Sequence, residues 1–321
     1  MNKITQAVIL AAGKGTRLHP VTLDRTKAMA PIVGKPIVAR VVELFIENGI
    51  KDFVLVVSPD DNEIVEYFEN TPINADFQFI EQPERRGMAD ALSRAAHLIA
   101  SDFLLAACDN LVAEDDIQRM LARWVSKPNL NGVLALMHVP PEKIKSVGIV
   151  ELDGESISRI IEKPDPAEAP TDIGSMPLYI FAHKILHYLP EIKPSARGEY
   201  ELQDAIQMLI ERDGSVLGFQ TQGRMTLTSP ADLLALNKHY LQKGSSHAQK
   251  LDASIKIIHP VYVEDGAVIG KNSKIGPNAY FEKNSFTGER SVVRESIVLR
   301  GGIIPSDSET IHQVIVPNEK G

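Results

Sequence analysis

Residues 7–17 read Ala7-Val8-Ile9-Leu10-Ala11-Ala12-Gly13-Lys14-Gly15-Thr16-Arg17. The apolar run Ala7 to Ala12 has the length of a buried strand, and the small residues after it let backbone N–H groups close around phosphate oxygens. The loop is not a Walker loop, because no Gly-Lys-Ser/Thr closes it, and the third glycine of a dinucleotide fingerprint falls on Leu18. The stretch continues through Pro20, Thr26-Lys27, Pro31 and Gly34-Lys35-Pro36, so two fixed cations, Arg17 and Lys27, stand on one loop.

Outward from this loop, strand-length apolar runs alternate with helical periods. Ile37 to Asn48 reads as a helix, Phe53 to Ser58 as a strand, and a further helix passes through Ile64 to Phe68. A strand near Phe77 to Glu81, a helix from Met88 to Ile99 and a strand from Phe103 to Ala107 continue the β-α-β order. The pattern predicts an α/β fold, a Rossmann-like, mixed but mainly parallel sheet with helices on both faces and ligands at the carboxyl ends of its strands. From Val133 shorter β-rich pieces follow (Val133 to Val139, Gly148 to Leu152, Ser158 to Glu162, Leu178 to Phe181), then helices at Leu202 to Glu211 and Pro230 to Leu241. Gln242 to Gln249 reads as a small polar linker.

Beyond it a period of six appears in Ile257, Val263, Ile269, Ile275 and Phe281, resuming at Val293 and Leu299 after Thr287. Ala267, Ser273, Ala279, Ser285 and Ser291 repeat small residues at the same spacing. One aliphatic plug per six residues fits a short left-handed parallel β-helix of about three coils, at ~18 residues per coil. We therefore expect two domains, 1–243 and 244–321. The open end of so short a solenoid calls for cover, by the first domain or by another subunit, and a homo-oligomer is expected.

Composition narrows the ligand class. The chain of 321 residues carries 34 basic and 42 acidic side chains for a net charge of −8, which argues against general nucleic-acid binding. Phosphate must be held locally. One cysteine, Cys108, cannot form an internal disulfide, and the polar opening Met1 to Gln6 has no signal-peptide pattern, so a cytoplasmic protein is expected. No run approaches the ~20 apolar residues of a membrane helix.

With these motifs in place, Leu10 to Pro36 resembles the signature of the sugar-1-phosphate nucleotidylyltransferases, the nucleotide-sugar pyrophosphorylases. The resemblance implies condensation of a nucleoside triphosphate with a sugar 1-phosphate, with Mg²⁺ as cofactor and pyrophosphate as second product. It assigns Arg17 and Lys27 to the triphosphate, and Leu10, Ala11, Ala12, Gly13, Lys14, Gly15 and Thr16 to the nucleotide-binding loop. Such chemistry brings anions together, so positive charge must stand where negative charge develops. Cys108-Asp109-Asn110, at the end of a strand, is similar to the family's Gly-Asp-Asn, with Asp109 in the position of the metal ligand and Cys108 as a buried filler. In Gln82-Pro83-Glu84-Arg85-Arg86-Gly87, Gln82 and Gly87 inherit base recognition by position. Glutamine donates and accepts together, as the imide edge of uracil or thymine requires, so UTP or dTTP is favoured. Gly148, Glu162 and Lys163 resemble the family's sugar-phosphate residues, with glucose 1-phosphate as the favoured acceptor. Adjacent Glu162 and Lys163 can serve one site only at a strand end, where the backbone twists. Pro194 to Asp204 resembles a structural stretch.

Two positions depart from the family. Pro177 precedes Leu178-Tyr179 where a glycine-containing strand start is usual. Thr226, in Arg224-Met225-Thr226-Leu227, stands where the family's second metal-binding aspartate falls. Asp232 is no replacement, since it follows Pro230 in the first turn of a helix and serves its N-terminus. These departures support a second reading, a sugar-nucleotide-binding regulatory or scaffold subunit with weakened chemistry, which pyrophosphate release separates from an active transferase. Acyl transfer on the β-helix is weaker still, for three coils offer little groove and no histidine in the repeat stands as an obvious base.

Overall fold

The computed structural model describes residues 3–317. They fall into two compact units, each drawn from separate stretches of chain: Met1–Gly13 with Arg40–Arg224, and Lys14–Ala39 with Met225–Gly321.

The first unit is built on a nine-stranded sheet. Its strands are β1 (Gln6–Leu10), β2 (Asp52–Val57), β3 (Asp76–Glu81), β4 (Phe103–Ala107), β5 (Gly132–His138), β6 (Gly148–Asp153), β7 (Ser156–Glu162), β8 (Ile173–Phe181) and β9 (Val216–Gln220). They lie in the order β3-β2-β1-β4-β8-β5-β9-β7-β6. The first four pair in parallel, β8 is antiparallel to β4 and β5, and β9 is parallel to β5. Ala7, Val8 and Ile9 are fully buried, as are Val54, Leu55 and Val56, which is why these strands read as unbroken apolar runs. Helices α1 (Ile37–Glu47), α2 (Asn62–Asn70), α3 (Met88–Ala95), α4 (Glu114–Ser126) and α5 (Leu202–Arg212) supply the α layer.

Two of these elements went unread in the sequence. Helix α4 buries Ile117, Met120 and Trp124, spaced three and four apart, behind a first turn of Glu114, Asp115 and Asp116 that complements the helix's positive end. Strand β9 enters the sheet between β5 and β7. The helix expected to reach Ile99 ends at Ala95 and tightens into a 3₁₀ turn over Ala96–Leu98. Strand β8 slips register against β5 between Ser175 and Tyr179, and Pro177 sits in that bulge, where the missing N–H costs no ladder bond to β5.

The second unit contains a parallel β-helix. Three ladders of five, four and three short strands make its faces, so three coils are complete on all sides. Lys256 pairs with Lys274 and Lys274 with Val292, steps of 18, whereas Val292 pairs with Glu309, a step of 17. The corners explain the change. Left-handed residues stand at Gly266, Asn272, Asn278, Asn284 and Arg290, six apart, then at Glu295, Gly301, Asp307 and His312, with five-residue steps from 290 and from 307. Asparagine and glycine tolerate this conformation best, and they dominate the regular part. Because of the short step, the inward partner of Phe281 is Val298 and not the expected Leu299. The expected linker also contributes: His247–Ala248 pairs with Tyr262–Val263 as the first rung of one face.

Helix α6 (Pro230–Gln242) belongs to the same unit. Ser229 and Asp232 form a reciprocal capping box, with Asp232 Oδ2 accepting from the Thr228 and Ser229 amides at 2.8 Å each. Asp232 is thus a helix cap, as expected. Among the described residues no helix is long and apolar enough to cross a membrane.

Candidate active site

In the first unit the loops after β1, β2, β3 and β4 leave the sheet from one edge. Ala11 N donates to Val56 O at 2.8 Å, Gln82 N to Val57 O at 2.8 Å, and Cys108 N to Leu10 O at 3.1 Å. Carboxyl ends of parallel strands are where open α/β sheets bind ligands. Leu10 to Gly13, Gln82, Gly87 and Asp109 are gathered along this edge; Cys108 is the buried filler expected of it.

Gln82 is 4 % exposed, and its Nε2 donates to Gly87 O at 3.1 Å and to Asp90 Oδ2 at 2.8 Å. Both partners are pure acceptors, which fixes the amide's orientation and leaves Oε1 as the acceptor. Gly87 starts α3 with φ +99°, and a Cβ there would meet Tyr200 O at 2.5 Å, so packing alone already demands glycine. Arg85 donates from Nε to Ala12 O at 2.8 Å and from Nη2 to Ser58 Oγ at 3.0 Å. It straps the signature loop to the end of β2.

A second cluster surrounds Glu162, the last residue of β7. Lys163 takes a left-handed φ of +46°, and this twist turns its Nζ back to 3.0 Å from Glu162 Oε1. The backbone requirement for adjacent residues to share a site is met in this way. Gly148 pairs with both Glu162 and Ser175 across neighbouring strands, and Gln203 lies against it. Glu162 Oε2 is buried without a hydrogen-bond partner. Burial pushes the Glu162 carboxyl above its ordinary value, against the pull of Lys163. Arg197, from the stretch taken as structural, reaches Glu201 at 2.7 Å and comes within 4.0 Å of Glu162. No sequence signal marked it beyond its place in that stretch.

The remaining loop residues lie in the second unit. Lys14, Thr16 and Arg17 are exposed and Lys27 is half-buried; Thr16 and Arg17 lie in the 3₁₀ turn Thr16–Leu18, and Lys27 opens the 3₁₀ turn Lys27–Met29. Gly15 has φ +66°, and a Cβ on it would come within 2.8 Å of Lys27 Cβ, so glycine lets the two halves of the loop close on each other. Behind them Arg25, which sequence reading passed over, is buried against Glu282 at 2.7 Å, and Arg300 Nε donates to Asp24 Oδ2 at 2.7 Å. These contacts tie the loop to the β-helix.

Asp109 offers one carboxylate, and among the described residues no three His, Cys, Asp or Glu side chains gather as a metal cage. This donor set fits a magnesium ion that arrives on substrate phosphates and keeps its waters, not one held by protein alone.

Four parallel strands with their loops at one edge, a glycine-bearing loop after the first of them and a part-buried Glu162–Lys163 pair form a ligand-binding edge of the open α/β kind. The chain matches the nucleotidyl transferase family over residues 6–243, and it belongs to that family. It is similar to the bifunctional protein GlmU of Methanococcus maripaludis, 33 % identical across 97 % of this chain and 77 % of the relative, and to that of Methanocaldococcus jannaschii, 31 % identical across 97 % and 78 %. The UTP–glucose-1-phosphate uridylyltransferase of Bacillus subtilis is 31 % identical over 66 % of this chain and 82 % of its own. Among solved structures, a UDP-glucose pyrophosphorylase from Acinetobacter baumannii superposes with a TM-score of 0.66 at 26 % identity, covering 75 % of this chain and 94 % of that one. The chain is thus an enzyme of general nucleotidyl transfer, joining a nucleoside triphosphate to a sugar 1-phosphate.

Proposed function

We propose that the substrates are UTP or dTTP and glucose 1-phosphate, joined in a single in-line displacement. A phosphate oxygen of the sugar attacks the α-phosphorus, the bond to the bridging oxygen breaks, and pyrophosphate leaves with its electron pair. The observation that carries this reading is the orientation of Gln82. With both amide N–H groups committed to Gly87 and Asp90, the donor half of the expected imide pairing is taken, and Oε1 alone is left to accept from the N3–H of uracil or thymine. Adenine and cytosine carry no N–H at the equivalent ring position; guanine carries one at N1, and the uridylyltransferase relative favours the pyrimidine over it. Glu162 would accept from sugar hydroxyls, Lys163 would exchange its internal pairing for the sugar phosphate, and Arg17 and Lys27 would grip the triphosphate. Magnesium, when bound, would neutralise the phosphates, with Asp109 as its protein ligand. The uridylyltransferase relative supports uridine and glucose as first choices. In this reading residues 1–243 form the transferase domain, 244–321 the β-helix domain, and the enzyme works in the cytoplasm.

We also infer a homo-oligomer. One face of the β-helix turns Val268, Phe286 and Ile303 outward in direct register, 51 %, 46 % and 58 % exposed. A second face carries Lys256, Lys274 and Glu309, and the third meets Gly34, Arg25 and α6 within the same unit. The apolar ladder is the face left for another copy.

Pyrophosphate release over a matrix of nucleoside triphosphates and hexose 1-phosphates tests the substrate reading, with Asp109→Ala as control. Release with UTP or dTTP and glucose 1-phosphate, lost in the control, is expected. Release confined to ATP or CTP would refute the Gln82 argument.

A further inference from the structure

Arg224 leaves the first unit beside Asp109, and nothing in the reading above uses it. Its Nε donates to Asn110 Oδ1 at 2.6 Å, and Nη1 stands 3.8 Å from Met137 Sδ. Asn110 is itself buried and donates through Nδ2 to Pro177 O at 3.3 Å, so the residue after Asp109 holds both the guanidinium and the bulge of β8. These ties are to neutral groups. Burial pushes the guanidinium down, and the charge of Asp109 opposes that shift. Arginine nevertheless stays charged in proteins. A desolvated cation whose hydrogen-bonded neighbours are an amide and a thioether has capacity left for an anion.

The charge count points the same way. Asp109 and Arg224 carry opposite charges, so Arg224 offsets the carboxylate that would recruit a divalent cation, and no acidic cage assembles among the described residues. A triphosphate needs positive charge at this edge whether or not a metal comes with it.

Resting on the transferase reading, we propose that Arg224 is a phosphate-binding residue of the reaction centre, a fixed cation beside Asp109 that takes part of the charge otherwise left to magnesium. Asn110 is its positioning residue. Nucleotide binding by this chain then depends only weakly on magnesium.

The test is calorimetric binding of UTP and of dTTP to the full chain, in EDTA and in millimolar magnesium, for the natural protein, Arg224→Gln and Arg224→Lys. The natural protein should bind in EDTA. Arg224→Gln should lose affinity there by about 10- to 100-fold, the usual worth of a hydrogen bond to a charged group, and lose less in magnesium. Arg224→Lys should retain part of the affinity in EDTA, and its melting temperature separates a charge effect from misfolding. Magnesium chloride titrated alone should give no binding heat. If UTP or dTTP binds only with magnesium, or binds equally well to Arg224→Gln in EDTA, the proposal fails while the transferase reading stands. If neither nucleotide binds in either condition, that reading fails and the proposal with it.

Discussion

Replacing Arg25 by Met should destabilise the second unit and weaken its hold on the triphosphate together. Arg25 and Glu282 side chains are 2 % and 8 % exposed, with Nη1 and Oε1 2.7 Å apart. Removing one partner of a buried pair costs about 3–5 kcal/mol, because the other charge stays desolvated. Here the stranded Glu282 keeps one donor, the Arg300 amide at 2.7 Å, which places the cost near the lower end. At ~3–6 °C per kcal/mol, between the values for smaller and larger domains, about 3 kcal/mol lowers the melting temperature by about 9–18 °C. The double variant Arg25→Met/Glu282→Leu buries no charge at the pair, so it should recover most of that loss. Calorimetric melting of the natural protein, Arg25→Met, Glu282→Leu and the double variant reads both effects, and the KM for triphosphate should rise in Arg25→Met, since Gly15, Arg17 and Lys27 share the loop. An Arg25→Met protein that melts within about 2 °C of the natural protein would refute the reasoning. So would a double variant whose loss equals the two single losses added.

Three further outcomes are expected. Burial alone would raise the Asp24 carboxyl, but Arg25 and Arg300 hold it below its ordinary value, so the stability it confers is present above the unfolded pKa of ~3.9 and lost as pH falls through the lower folded value; acid melting curves should flatten in Asp24→Asn. Glu162→Gln keeps the shape and removes a charged acceptor, and kcat/KM for the sugar 1-phosphate should drop by about 10- to 100-fold with nucleotide binding unchanged. Phe286→Glu places a charge at the middle of the exposed ladder, and light scattering should show the assembly dissociating towards the monomer; an unchanged mass would clear this face of the role.

The parallel half of the sheet was plain in the sequence because strands buried on both faces are continuous apolar runs, and Phe103 to Ala107 was located to the residue. Helix α4 was hidden by its charged first turn, which breaks up the apolar signal that Ile117, Met120 and Trp124 carry. Strand β9 holds only Val216, Leu217 and Phe219 as apolar residues. At the site, the need for a backbone twist after Glu162 followed from residue adjacency, but the left-handed Lys163 that supplies it follows from no pattern. The roles of Gln82, Arg85 and Arg224 depend on partners from 5 to 114 residues away in the chain, and such pairings leave no periodicity behind. The β-helix period was clear until Arg290, where a corner loses one residue and a rule that counts residues loses step with a structure that counts corners.

The interleaving of the two units bears on how the chain can be dissected. Residues 14–39 carry Arg17 and Lys27, yet Arg25 finds Glu282, Asp24 finds Arg300, Val33 N finds Asn237 Oδ1 and Gly34 packs on Tyr262, all beyond residue 224. A gene cut after residue 243 would keep every motif of the transferase signature, and Asn237, while deleting Tyr262, Glu282 and Arg300, most of the surface on which its cationic loop is moulded. The β-helix is therefore less an appendage than a jig, and swapping it for that of a relative would carry the loop's shape along with it.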